Sequence, residues 1–336
     1  MRRYFLFTAT TTILAAGALF AQTKTGTAVG QFLLIEPSAR SAAMGNAGVT
    51  MSAEIQSAYF NPAAIGLFEG SGAQFTHSAW LADIAYDYVG VAMKLGDLGN
   101  FYVSLTALNS GEIDVRTVEQ PLGTGEKYTV ADLSFGLGYG RQISDRFSLG
   151  IQANYLQERI WHSTMDAFSL NVGTLYRISA DGLRIGASVS NWGTRGRFDG
   201  RDLRILFDQN PDSFGDNRSL PAALFTDGFP LPILFRVGVG MPLTFGEDNR
   251  VFVAVDAFHP SDNTESVSVG AEWLFLNTFA LRGGYQHLFQ QDAEVGLTLG
   301  AGLQYAMDDL ELNFDYAWAE YGRLEKAQRV TLGVRF

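Results

Sequence analysis

The sequence predicts an all-β fold, an antiparallel transmembrane barrel of about fourteen strands with an N-terminal helical plug. Three observations lead there. From Ser71 onward the chain breaks into short segments whose apolar and polar side chains alternate, the length and period of tilted membrane strands. Glycine (37 residues) and aromatics (13%) are abundant while charged residues are sparse at 18%, a balance that suits a barrel wall better than a soluble enzyme. Finally, every second connection along the chain is a tight turn and both long connections fall on the opposite side, as expected when both barrel ends lie on one side of the membrane.

Composition closes off other classes. Apolar residues make up 47% of the chain, yet no run after the N-terminus stays apolar long enough for a spanning helix, which needs about 20 residues. A net charge of −11 leaves no basic face for nucleic-acid phosphates. The chain has no cysteine, so disulfides, thiolate metal sites and lipid-bearing cysteines are excluded.

At the N-terminus, Arg2 and Arg3 precede the mostly apolar stretch Tyr4 to Phe20, with small residues at Ala18 and Ala21. This reads as a secretion signal cleaved after Ala21, or alternatively after Ala18. Residues 1–21 are therefore expected to be the signal, 22–70 a plug segment and 71–336 the barrel. The plug reading starts from "SARSAAMGNAGVTMSAEIQSAYFNPAAIGLF", Ser38 to Phe68. Its small residues permit close packing, and Asn61-Pro62 breaks the helical pattern before the wall begins. A barrel of this size keeps an aqueous bore unless something fills it. The alternative is a helical piece outside the barrel on the periplasmic side.

The strands are expected at 71–81, 85–95, 99–109, 129–140, 146–160, 164–178, 183–192, 231–243, 250–259, 264–275, 278–288, 294–306, 309–319 and 327–336. The last is the clearest. Val330, Leu332, Val334 and Phe336 share one face, and Arg329, Thr331, Gly333 and Arg335 share the other. Likewise Val295, Leu297, Leu299, Ala301, Leu303 and Tyr305 oppose Gly296, Thr298, Gly300, Gly302 and Gln304. A soluble sandwich would alternate too, but bulky residues on one face suit lipid, while polar and glycine residues on the other suit a filled lumen. "GDLG", "RQISD", "SADG", "TFGEDN", "LNT" and "AMDD" fall at the periplasmic turns, and the long connections 111–128 and 193–230 fall outside. Trp80, Trp161, Trp192 and Trp318 then lie at outer strand ends and Trp273 near a periplasmic end, where amphipathic rings prefer to sit.

No catalytic constellation emerges, and the chain reads as a non-enzyme without cofactor or metal. His77, His162, His259 and His287 are scattered and lack zinc spacing. "GLGYG" lies inside a strand with no helix after it, so it reads as lumen-facing glycines and not a nucleotide loop. Arg184, Arg236, Arg282 and Arg335 share the inward face with Asp132, Asp256, Glu272, Glu311 and Asp315. Facing lipid, each arginine would cost about 2–4 kcal/mol at mid-membrane. They form either a charged ligand path or a network bracing the lumen and plug. The loop from Gly193 to Pro230 mixes acids with Leu203, Phe207, Phe214, Phe225 and Phe229. An exposed loop with that much apolar surface is either a docking element or a lid on its own barrel.

The segment Gly30 to Ile65 resembles the start of the PorV/PorQ family of outer-membrane proteins. The likeness is carried by Phe32-Leu33, Ser38-Ala39-Arg40, Ala43-Met44-Gly45 and Tyr59-Phe60-Asn61-Pro62-Ala63. Within this block Arg40, Met44, Gly45, Asn61, Pro62 and Ala63 form the plug motif. Ser38 replaces the family's more usual glycine, and Ser41 displaces its third small residue. A terminal strand ending in phenylalanine also resembles the signal read by the outer-membrane assembly machinery. The resemblance implies an outer-membrane docking component of type IX secretion, binding secretion-system proteins or secreted cargo domains. The family is related to FadL-type barrels, which implies the alternative, a channel for long-chain fatty acids or other hydrophobic small molecules. The barrel itself is expected to be monomeric in outer-membrane lipid.

Overall fold

The computed structural model describes residues 24–52, 54–179, 182–212, 214–215, 219–290 and 293–336; the expected signal segment and both cleavage positions lie outside the described residues. The wall is a closed antiparallel barrel of fourteen strands. The first seven are β1 Gly72–Ala79, β2 Ala85–Lys94, β3 Asn100–Asn109, β4 Val130–Ser144, β5 Phe147–Ile160, β6 Ser163–Arg177 and β7 Arg184–Gly193. The rest are β8 Leu234–Phe245, β9 Asn249–Pro260, β10 Ser266–Phe275, β11 Phe279–Leu288, β12 Leu297–Met307, β13 Leu310–Glu320 and β14 Lys326–Arg335. Each pairs with the next. β1 closes on β14, from Gly72 opposite Arg335 to Ala79 opposite Gln328, and Ser71 and Phe336 exchange two backbone hydrogen bonds of 2.8 Å. Closure leaves no strand edge in lipid, where no water could satisfy one.

Side-chain alternation sorts the residues as the period of two demands. On β12, Leu299 is 48% exposed toward lipid while its neighbour Thr298 is fully buried. Inward residues of an open pore would be wet. Here Thr76, Asp256, Thr298 and Arg329 are all completely buried, because residues 29–68 pack inside the bore. That segment contains only short helical turns: 3-10 turns Gln31–Leu34 and Pro62–Leu67, and helices α1 Ala39–Ala43 and α2 Ser57–Phe60. Local chemistry sets their starts. The Ser38 hydroxyl accepts from the Ser41 amide at 3.2 Å, and the Asn61 side chain accepts from the Ala63 amide at 3.1 Å with Pro62 at the first helical position.

The strands differ from the sequence expectation most at the end of β4, which runs to Ser144 instead of 140, and at two starts. β8 begins at Leu234 because Pro230 and Pro232 lack ladder donors, and Leu231 is instead buried in a cluster with Phe32, Leu156 and Met165. β12 begins at Leu297, and Val295 packs against the cluster of Ala319, Tyr321 and Ala327. Long connections carry small hairpins of their own, Ile113–Asp114 with Lys127–Tyr128 and Arg204–Phe207 with Leu220–Ala223. Trp192 is 62% exposed at the end of β7. Trp80 instead packs edge-on to Tyr321, with ring centroids 5.1 Å apart.

Candidate functional site

The plug is anchored at its breaking point and at a tight turn. Asn61 is fully buried and donates its side-chain amide to the carbonyls of Val49 (3.0 Å) and Thr174 on β6 (2.9 Å). Pro62 lies so close to β5 that a Cβ on Gly150 would fall 2.1 Å from the Pro62 carbonyl carbon. At the turn, Gly45 has φ 65, a left-handed conformation natural to glycine. Its amide donates to Thr298 Oγ1 at 3.0 Å, and the same hydroxyl donates to the Ala43 carbonyl at 3.0 Å. Buried Met44 fills the space beside Ala47, Met51 and Ala254.

Charge ties this turn to the wall. Arg40 donates two hydrogen bonds to Glu272 on β10, at 2.7 and 2.6 Å. Glu272 also accepts from Arg282 on β11 at 2.6 Å, and Arg282 reaches Asp315 on β13 at 2.5 Å. Two guanidinium groups face two carboxylates, so the buried network is balanced in charge. Burial works against the Arg40 charge, but Glu272 outweighs it and holds the guanidinium pKa above its ordinary value. Glu54 accepts from the hydroxyls of Ser38 (2.8 Å) and Ser41 (3.1 Å). Burial nevertheless pushes its carboxyl above the ordinary range.

The other inward charges fall at separate points. Asp256 accepts from the Val49 amide at 2.8 Å. Arg236 donates to Ser190 Oγ at 3.0 Å and lies 5.0 Å over the ring of Tyr59, whose buried phenol is pushed up to about 12. Arg335 pairs with Glu311 and Arg184 reaches Ser52 at 3.1 Å, both toward the periplasmic end. Asp132 stands at the outer mouth. A second plug-to-wall ion pair escaped the sequence reading: fully buried Arg329 on β14 meets Glu36 at 2.8 Å and lies 4.8 Å over the Trp80 ring. Its placement on the polar face of the last strand was the available signal, since that arginine could not face lipid.

The plug separates two cavities. One of 780 Å³ at the outer mouth is lined in part by Phe32, Trp80, Asp132, Glu158, Phe258 and Asp262. One of 930 Å³ at the periplasmic end is lined in part by Arg40, Arg184, Arg250, Phe252, Glu272 and Arg335. Above the outer rim the hairpin Arg204–Phe207 with Leu220–Ala223 presents its side chains to solvent. Phe214 is 89% exposed and Phe225 74%. Phe207 and Phe229 are also exposed, and Leu203 is half-buried. Arg197 stacks 4.1 Å over Phe225, while Phe229 and Gly196 exchange two 2.9 Å backbone bonds at the loop's base. A clasp that sequence reasoning missed holds the loop to the rim: His162 meets Asp202 at 2.8 Å and Arg201 at 2.5 Å. Elsewhere His77 pairs with Asp87 and His259 with Glu265. Among the described residues no group of three or more His, Asp or Glu could hold a metal ion.

Comparison with known proteins fits this geometry. The family model described as "Type IX secretion system protein PorV" matches residues 20–201. The Pseudomonas putida toluene transporter TodX superposes with a TM-score of 0.56 at 14% identity, covering 89% of this chain and 97% of that one. The Ralstonia pickettii toluene transporter TbuX gives 0.55 at 13%, with 90% and 99% covered. A Pseudomonas aeruginosa FadL homologue gives 0.52 at 10%, with 89% and 98% covered. At such identities the likeness is one of fold. No match is found among curated proteins. Barrel, family and neighbours together place the chain in the outer membrane.

Proposed function

The chain belongs to the PorV family of type IX secretion system proteins, and from that premise we propose that it is a non-catalytic docking component, capturing secretion partners or cargo domains at the outer surface. The observation that carries this reading is the outer loop. Its aromatic residues stand in solvent, clasped at the base by backbone and by the contacts of His162, and exposed apolar surface of this kind marks an interaction site. The bore beneath offers little competition. Among the described residues each barrel strand is paired on both sides, and the plug is tied to the wall by Arg40, Asn61 and Arg329.

The alternative, a channel for fatty acids or other hydrophobic molecules, draws on the fold shared with the toluene transporters. It requires a greasy path past the plug and a breach in the wall. Deleting Arg201 to Ala222 separates the two. Docking requires that secretion-system proteins or cargo co-purify with the intact chain from outer membranes and are lost on deletion, with the barrel still folded. Unchanged capture by the deleted protein, or bound lipid as the sole companion of the intact one, refutes it.

A further inference from the structure

The outer cavity above the plug holds a charge arrangement that the docking loop does not use. Asp132 on β4 and Glu158 on β5 stand directly opposite one another in register. Like charges so placed destabilise a ladder, and among the described residues neither carboxylate has a cationic partner. Glu158 accepts the backbone amide of Gly30 at 2.9 Å. Across the mouth Asp262 is 7% exposed. Its Oδ2 accepts from Gln31 Nε2 at 2.7 Å, and its Oδ1 has no hydrogen-bond partner among the described residues. Among the described residues other buried polar atoms lining the same space also lack a hydrogen-bond partner, Oδ1 of Asn46, Nε2 of Gln286, Oγ1 of Thr264 and Nε of Arg236 among them. Buried polar atoms are normally satisfied, so several such atoms around one cavity point to something that completes them.

The charges that could compensate lie elsewhere or fall short. Glu36 and Glu294 also line the cavity, but Arg329 and Arg323 hold them. His287 at the rim is engaged with the Ser266 hydroxyl at 3.1 Å. At the floor Arg236 donates to Ser190 and lies against the rings of Tyr59 and Phe60, while its Nε has no hydrogen-bond partner among the described residues. Three carboxylates therefore face one guanidinium, between apolar walls that include Trp80 and Phe258.

We propose that this cavity binds an organic cation on an apolar stem, an ammonium or guanidinium group seated between Asp132, Glu158 and Asp262. The stem lies against Trp80 and Phe258, and a carbonyl on the ligand accepts from Gln286. The 780 Å³ volume falls within the range of about 300–1,000 Å³ typical of small-ligand sites. Two sources share this chemistry, a lysine or arginine side chain on a partner polypeptide and a free amphipathic amine. A fatty-acid carboxylate has the wrong sign for the site. The inference stands on the cavity alone and does not depend on the docking loop.

The test titrates the full-length folded protein in detergent with three probes, phenethylammonium, acetyl-Phe-Arg-amide and 3-phenylpropionate, by calorimetry. Both cations should bind saturably and the carboxylate should not. The double variant D132N/E158Q should weaken both cations by about tenfold or more, and Asp262→Asn alone should weaken them in the same direction. Heat-dependent gel mobility checks that each barrel is folded. Tighter binding of the peptide assigns the site to a polypeptide partner, and tighter binding of the amine assigns it to a free ligand. Absence of saturable binding, equal binding of the carboxylate, binding of calcium alone, or affinities unmoved by the substitutions in folded protein would overturn the proposal.

Discussion

Two adjacent glycines on β11 allow the plug contact to be tested against an internal control. A Cβ on Gly284 would lie 2.2 Å from the amide nitrogen of Gly45 and 2.3 Å from the carbonyl carbon of Met44, both backbone atoms of the plug turn. A Cβ on Gly283 points the other way and meets nothing nearer than Leu299 Cδ2, at 3.7 Å. Carbon contacts settle near 3.5–4.0 Å, so Gly284→Ala forces the turn to retreat by about 1 Å. Overpacking of this kind costs about 1–3 kcal/mol. The loss of unfolded-chain freedom, worth about 0.4–1 kcal/mol, is common to both alanine variants and cancels in the comparison. The difference should therefore raise the population with a displaced turn by a factor of about 5–30 or more. Amide hydrogen exchange across residues 43–49 reads it directly, and planar-bilayer conductance reports whether displacement opens the bore. Gly284→Ala should exchange faster there while Gly283→Ala matches the parent. Equal protection in the two variants would show that the turn does not press on β11.

Other outcomes follow from the same geometry. Arg40→Met removes two charge-assisted hydrogen bonds from Glu272, which keeps its contact with Arg282; the expected loss is about 2–4 kcal/mol, and a double-mutant cycle with Glu272→Gln in thermal melts should show strong coupling, near-additivity being the contrary result. Glu54 has its folded pKa raised by burial, so its ionisation works against the packed plug. That penalty is absent below the ordinary carboxylate pKa and grows as pH rises toward the folded value. Glu54→Gln should accordingly stabilise the plug relative to the parent more at neutral pH than in mild acid, and a pH-independent difference counts against it. In the outer connection 110–129, the exposed pair Glu112–Lys127 at 2.7 Å is open to screening; Lys127→Ala should leave the barrel melt unchanged and alter only protease sensitivity of that loop.

Much of the fold was legible because a lipid-facing wall imposes a rigid code. Leu299 beside Thr298, or Leu332 beside Thr331, alternates as a strand must when one face meets acyl chains and the other a filled lumen, and glycines opposite the bulky residues set this apart from a soluble sandwich. Turn length, strand parity and the inward placement of arginine follow from the same constraint. The block around Arg40 and Asn61-Pro62-Ala63 was likewise visible as a unit, since small residues and a proline break are local signals. What remained hidden were partnerships. Arg40 and Glu272 lie 232 positions apart, and nothing in either segment names the other. Arg329 and Glu36 were missed for the same reason.

By itself the sequence determined a closed, outward-greasy barrel, because alternation and turn chemistry act between neighbours in the chain. Only the tertiary structure decided that the plug fills the bore between two cavities, which glycines abut it, and that Asp132, Glu158 and Asp262 come to line one mouth. Those facts depend on which inward residues come within a few ångströms of residues 29–68, a distance that the strand code does not contain.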